Sequence, residues 1–170
     1  NNYINKIYYN IAMAFFQKEE LKYLGAFYLV GIVGGLLSIV EPTIIIYFAL
    51  KGFSFSELSF ALVALFIAPF ILEVPTGVIA DTFGRKISVI ISWISMGITI
   101  MLIPFISNPS HLVVIFFLWG FTKTLSTGAD QAWVIDNLKS NKKTMLIKEF
   151  YVKSQSFSMG SLVFSGLLSA

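Results

Sequence analysis

The chain has 170 residues, 56% of them hydrophobic and only 12% charged, with a formal net charge of +3. A mean hydropathy of +0.81, with charge far below the roughly 25% of soluble domains, excludes an ordinary water-soluble domain and points to the membrane. The absence of cysteine excludes disulfides and thiolate metal sites, and a single histidine, His111, leaves too few groups for a histidine-based catalytic or metal centre.

In chain order, residues 1–22 come first. Ile4, Ile7, Tyr8, Ile11 and Phe15 recur at helical spacing, with Asn5, Lys6, Asn10 and Lys18 elsewhere around the wheel. This predicts an interfacial helix lying on the membrane surface, the alternative being an ordinary amphipathic helix on protein. No short apolar core with a small-residue cleavage site marks a signal peptide here.

Residues 23–170 then carry continuous apolar runs near the roughly 20 residues that cross a hydrocarbon core. They predict an all-α, polytopic helical membrane bundle of five spans: Tyr23 to Leu50, Leu58 to Ala80, Ile87 to Ile106, Leu112 to Val134, and Phe150 to Ala170. Helices and not barrel strands follow because the runs do not alternate. The breaks carry turn chemistry: Lys51-Gly52 before Ser54, the loop at Gly84, Asn108-Pro109-Ser110, and Lys139-Ser-Asn-Lys-Lys143. The odd number of spans and the lack of an initiator methionine lead us to expect a piece of a larger protein.

Lysine and arginine fall on alternate connections. Lys6, Lys18 and Lys22 precede span one, Arg85 and Lys86 follow span two, and Lys139, Lys142, Lys143, Lys148 and Lys153 follow span four; the other connections offer only Lys51, with His111 near the start of span four. The positive-inside rule therefore predicts a cytoplasmic N-terminus and a cytoplasmic Gly84 loop. The net charge is explained by sidedness and is no nucleic-acid footprint.

Charges within spans are the informative residues, because each costs about 2.5 to 3.5 kcal/mol at the bilayer centre and usually faces a bundle interior or wet cavity. Glu41, Glu73, Lys123 and Asp130 qualify. Lys123, Thr127 and Asp130 stand at i, i+4 and i+7, which puts them on one helical face. Gly31, Gly35, Ser38 and Glu41 form a matching face on span one, and Ser154, Ser158, Ser161 and Ser165 one on span five. Glu41 lies within reach of Lys123 by this count. Two readings stay open: a substrate or proton site in a polar cavity, or a buried ion pair fixing helix register among ordinary packing stripes.

Between spans two and three runs Gly77-Val-Ile-Ala-Asp81-Thr-Phe-Gly84-Arg85-Lys86, preceded by Glu73-Val-Pro75-Thr. Span four and its exit read Gly120-x-x-x-x-x-Ser126-Thr-Gly128-Ala-Asp130-Gln-Ala132-Trp-Val-Ile-Asp136. The first closely resembles motif A of the major facilitator superfamily; the second resembles the matching region of its bacterial efflux-type members. The resemblance covers Tyr23 to Ala170. It implies the first six-helix bundle, without its sixth helix, of a twelve-helix transporter working by alternating access in a bacterial plasma membrane. The C-terminal bundle, the lipid bilayer and a small-molecule substrate are the implied partners, with a proton gradient as energy source and no cofactor.

Residue by residue, the resemblance makes Gly77, Asp81, Gly84, Arg85 and Lys86 a conformational switch. Asp81 would face a helix of the second bundle, and Arg85 would pair with an acid at the end of span four, Asp136 first and Asp130 second. Thr82 departs from the motif, standing where arginine is common, and Lys123 is out of register with the span-four arginine of many drug antiporters.

These readings combine into an expectation: the N-terminal portion of a secondary active transporter, exporting small organic compounds in exchange for protons. Glu41 is the first candidate for the proton or substrate site and Glu73 the second, with Lys123 and Thr127 beside them. The alternatives are a non-transporting sensor or scaffold of the same fold, or an importer. An enzyme is disfavoured, since no nucleophile with its base, metal-ligand cluster or phosphate-cradling loop is present.

Overall fold

The computed structural model describes residues 18–168. Every regular element among them is helical: α1 (Lys18–Leu37), α2 (Val40–Leu50), α3 (Phe55–Phe83), α4 (Arg85–Leu102), a 3-10 turn (Ile103–Phe105), α5 (Pro109–Ser126), α6 (Ala129–Ser140) and α7 (Leu146–Leu168). Glu19–Leu50, Phe55–Phe83, Arg85–Phe105 and Pro109–Ser140 are long and apolar enough to cross a membrane. α7 is a continuous helix of 23 residues with serines through its length. The expected all-α polytopic architecture is present. The interfacial helix expected from Ile4 to Phe15 lies outside the described residues.

Two expected spans are broken. The first turns at Ser38 and Ile39, whose N–H groups donate to the Gly35 and Leu36 carbonyls at 3.3 and 3.4 Å. α2 then restarts with Pro42 in its first turn, where a missing N–H costs nothing. The fourth breaks at Gly128, whose φ of +74° is open to glycine and resisted by L side chains. The Thr127 N–H and the Ser126 and Thr127 hydroxyls all donate to the Lys123 carbonyl, at 3.0, 3.0 and 2.9 Å, and close α5 there. This corrects the expectation of a single face holding Lys123, Thr127 and Asp130: Asp130 belongs to the first turn of a new helix.

The other ends follow local rules. Ser54 and Glu57 form a reciprocal capping box at the start of α3. Asn108 caps α5 through Ser110 N–H at 2.9 Å, with Pro109 at its first position. Gly84, at φ +96°, separates α3 from α4.

The chain divides into two compact units, one of them Glu41–Trp133 and the other made by the described residues on either side of it. In the flanking unit α1 lies on α7, and Leu24 and Tyr28 share a core with Val134, Leu138, Leu146 and Phe150. The helices approach closely at Gly35, where an added Cβ would overlap Ser161 Oγ and come within 2.9 Å of the Ser158 carbonyl. Ser161 and Ser165 are buried there, so this part of the serine stripe is a packing surface.

In the Glu41–Trp133 unit, α5 packs on α3 and α4. Ala61, Ala64 and Ala68 line the buried side of α3, and a Cβ on Gly120 of α5 would overlap the Leu65 carbonyl and lie 2.9 Å from Ala68 Cβ. α4 is stitched to α5 by the Ser88 and Ser92 hydroxyls, donating to the Leu125 and Thr122 carbonyls at 2.6 Å each. Small residues and interhelical hydrogen bonds are what hold helices together where lipid removes the hydrophobic driving force. The outward side of α3 carries Phe60, Val63, Phe66, Ile67 and Phe70 in the open, a contiguous apolar face suited to lipid or protein and unsuited to water.

Candidate functional site

Both helix breaks converge on one pair of charges. Glu41 stands in the first turn of α2, where a carboxylate meets the positive end of the helix dipole, and Lys123 in the last turn of α5, where an ammonium meets the negative end. The two side chains form an ion pair within the Glu41–Trp133 unit. Neither is sealed in: their side chains are 48% and 39% exposed. The Lys123 ammonium also lies 5.6 Å from the centre of the Trp119 ring. Trp119 itself is buried at the end of an aromatic series, 5.9 Å from Phe116, which lies 6.3 Å from Phe48.

A cavity of about 250 Å³ lies in the same unit. Glu73, Thr76, Gly77, Asp81 and Arg85 line it from α3 and the start of α4, and Thr124, Thr127 and Gly128 from the α5–α6 junction. The expected candidates are therefore divided. Glu41 meets Lys123, whereas Glu73 and Thr127 share a cavity with three members of the loop motif, Gly77, Asp81 and Arg85. Gly84 and Lys86 are exposed beside it. Asp130 uses its carboxylate to accept the Gln131 N–H at 2.7 Å. Asp136 lies further along α6, in the flanking unit. Among the described residues no three His, Asp or Glu side chains gather as metal ligands would.

The flanking unit holds a charge cluster that sequence reasoning missed. Glu20 is fully buried; Lys153 donates to both of its carboxylate oxygens at 2.9 and 2.7 Å, and the Tyr28 hydroxyl to one of them at 2.9 Å. Glu149 approaches the same ammonium at 3.3 Å, one turn away on α7. At the surface nearby, Lys143 pairs with Glu19. The available signal is that Lys153 falls inside the expected fifth span, where a lone ammonium is costly; counted only toward sidedness, it passes as a loop charge.

Continuous apolar helices, broken at paired charges and joined by small residues, define a multi-pass helical membrane protein. Residues 23–169 match the profile of the Major Facilitator Superfamily, and the chain belongs to that family. It is 30% identical over 112 residues, 65% of its length, to an uncharacterized MFS-type transporter, YxaM, of Bacillus subtilis strain 168. That stretch is 28% of the relative's length, so the chain spans only part of the curated relative it matches. No solved structure matches it.

Proposed function

We propose that this chain is the N-terminal portion of a proton-coupled exporter of small organic compounds, working by alternating access, with Glu41 as the carboxylate that exchanges protons and Lys123 as its counter-ion. Membership of a family of transporters supports the transport class over an enzyme. The observation that carries the rest is the meeting of Glu41 and Lys123 at the broken ends of two helices. Interrupted helices whose termini hold ionisable groups are where transporters commonly place substrate and coupling ions.

A half-exposed carboxylate with one ionic partner can release that partner and take up a proton, which a fully enclosed one cannot do without reorganising its surroundings. The loop from Gly77 to Lys86 acts in this reading as the conformational switch, its cavity changing shape as the bundles rock. The protein then sits in a bacterial plasma membrane with the N-terminus and this loop on the cytoplasmic side, as the lysine and arginine distribution supports.

The test uses the intact protein in proteoliposomes, with an imposed pH gradient and ethidium as the transported probe. Glu41→Gln is expected to abolish the acceleration of ethidium movement by the gradient while leaving ethidium binding in place. Gradient-driven transport that survives Glu41→Gln unchanged sinks the assignment. A second reading, a sensor of the same fold, predicts ethidium binding without gradient-driven movement even in the unmodified protein.

A further inference from the structure

We infer that Trp119 is a positioning residue for the Glu41–Lys123 site: its ring face seats the Lys123 ammonium so that it stays on the Glu41 carboxylate. The inference rests on the reading of Glu41 as the proton-exchanging group and deepens it.

Lys123 is reached by two attractive groups at once, the Glu41 carboxylate and the Trp119 ring. Glu41 has one: among the described residues Lys123 is its only ionic partner, and no other charged side chain from a neighbouring helix is joined to it. Holding a lysine in place matters here because its stem is long and flexible, and near a polar surface the ammonium otherwise swings toward water. An indole is the strongest of the aromatic faces for a cation, and the separation of 5.6 Å falls within the roughly 6 Å over which the attraction is significant.

A second observation points the same way. Trp119 is 1% exposed, and its indole N–H meets no acceptor among the described residues. A buried donor left unpaired costs about 1 to 3 kcal/mol, so hydrogen bonding is no reason for tryptophan at this position. Phenylalanine would fill most of the space without that cost. What tryptophan adds is a larger and more electron-rich ring, and the group over that ring is Lys123.

Without the ring the ammonium spends less of its time on Glu41. The measurement is the nitrogen-15 resonance of the Lys123 ammonium in the intact, lysine-labelled protein, identified by its disappearance in Lys123→Met; it needs no transported ligand. The contact with Glu41 is read as the change that Glu41→Gln makes in that resonance. Trp119→Phe is expected to lose part of that change and Trp119→Leu most of it, because the ammonium is then no longer seated beside the carboxylate.

A change on Glu41→Gln that is as large in both Trp119 variants as in the unmodified protein overturns the inference while leaving the Glu41 assignment standing. Should Trp119→Leu fail to fold, Trp119→Phe carries the test. If the change falls as stated while Glu41→Gln leaves gradient-driven transport intact, the positioning role stands and the transport role of Glu41 falls.

Discussion

Glu20 and Glu41 each stand in the first turn of a helix and each meet a lysine from a later helix, yet Glu20 is fully buried and the Glu41 side chain is 48% exposed. Around Glu20, Lys153 donates to both carboxylate oxygens and Tyr28 to one of them. Around Glu41 the Lys123 ammonium is the one ionic partner among the described residues, and it reaches one carboxylate oxygen. The first arrangement resists any change of partner, because each bond lost leaves a buried polar group unmet. The second is the one we propose to exchange its partner for a proton. Two pairs of the same composition thus differ in enclosure: one joins α1 to α7, and the other is the proposed site of proton exchange.

The comparison breaks most easily at the buried pair. Lys153→Met alone should destabilise the intact protein by about 3 to 5 kcal/mol, since it takes the ammonium from the buried Glu20 carboxylate, and Glu20→Gln by less, since Glu149 stays 3.3 Å from the Lys153 ammonium. The double variant should recover most of that loss. Thermal unfolding in detergent reads it; a double variant as unstable as the singles would show that the charges, and not their mutual neutralisation, are needed.

Close helix contacts offer the next contrast. Gly120→Ala drives a methyl group into the Leu65 carbonyl, a backbone atom of α3 that cannot turn aside. Gly35→Ala meets first the Ser161 hydroxyl, which can rotate, and then the Ser158 carbonyl at 2.9 Å. Overpacking costs of about 1 to 3 kcal/mol should therefore fall more heavily on Gly120→Ala, and equal losses for the two variants would mean that the α1–α7 contact is as rigid as the α3–α5 one.

At the Glu41–Lys123 pair, stability and function should separate. Joint replacement by glutamine is expected to change the unfolding free energy by less than about 1 kcal/mol, because the attraction lost with the pair and the cost of holding two charges within the spans largely cancel, while gradient-driven ethidium transport is lost. A large destabilisation would show that the fold itself needs these two charges and would weaken the case for a proton site.

Much of this was legible because lipid imposes simple rules. Runs of about 20 apolar residues forecast the helices, and the cost of an intramembrane charge singled out Glu41 and Lys123, which do meet. The breaks at Ser38 and Gly128 left no trace in hydropathy; Pro42 and Gly128 were the local signs, and both are common enough in membrane helices to pass as kinks. The Glu20–Lys153 pair was hidden for another reason. Its members lie 133 residues apart in sequence and near span ends, where charges are expected, so only packing reveals that Glu20 is enclosed. The cavity that gathers Glu73 and Thr127 beside Asp81 and Arg85 likewise depends on the break at Gly128, which turns the α5–α6 junction toward the loop.

The smallest effect belongs to the surface pair. The hydrogen bond from Lys143 to Glu19 is the main cause that raises the lysine above its ordinary value of 10.5. A group whose folded value is raised contributes its stability below the ordinary value and loses it as pH climbs through the folded one. Whatever Lys143 contributes should therefore be constant between about pH 6 and pH 9 and fade only in stronger alkali. Lys143→Gln should leave the unfolding temperature almost unchanged at moderate ionic strength, any residue of the effect shrinking further as salt screens the pair. A drop approaching that of Lys153→Met would mean that Lys143 and Lys153 act as one network on the adjacent acids Glu19 and Glu20, and that the enclosure of Glu20 extends to the surface of α1.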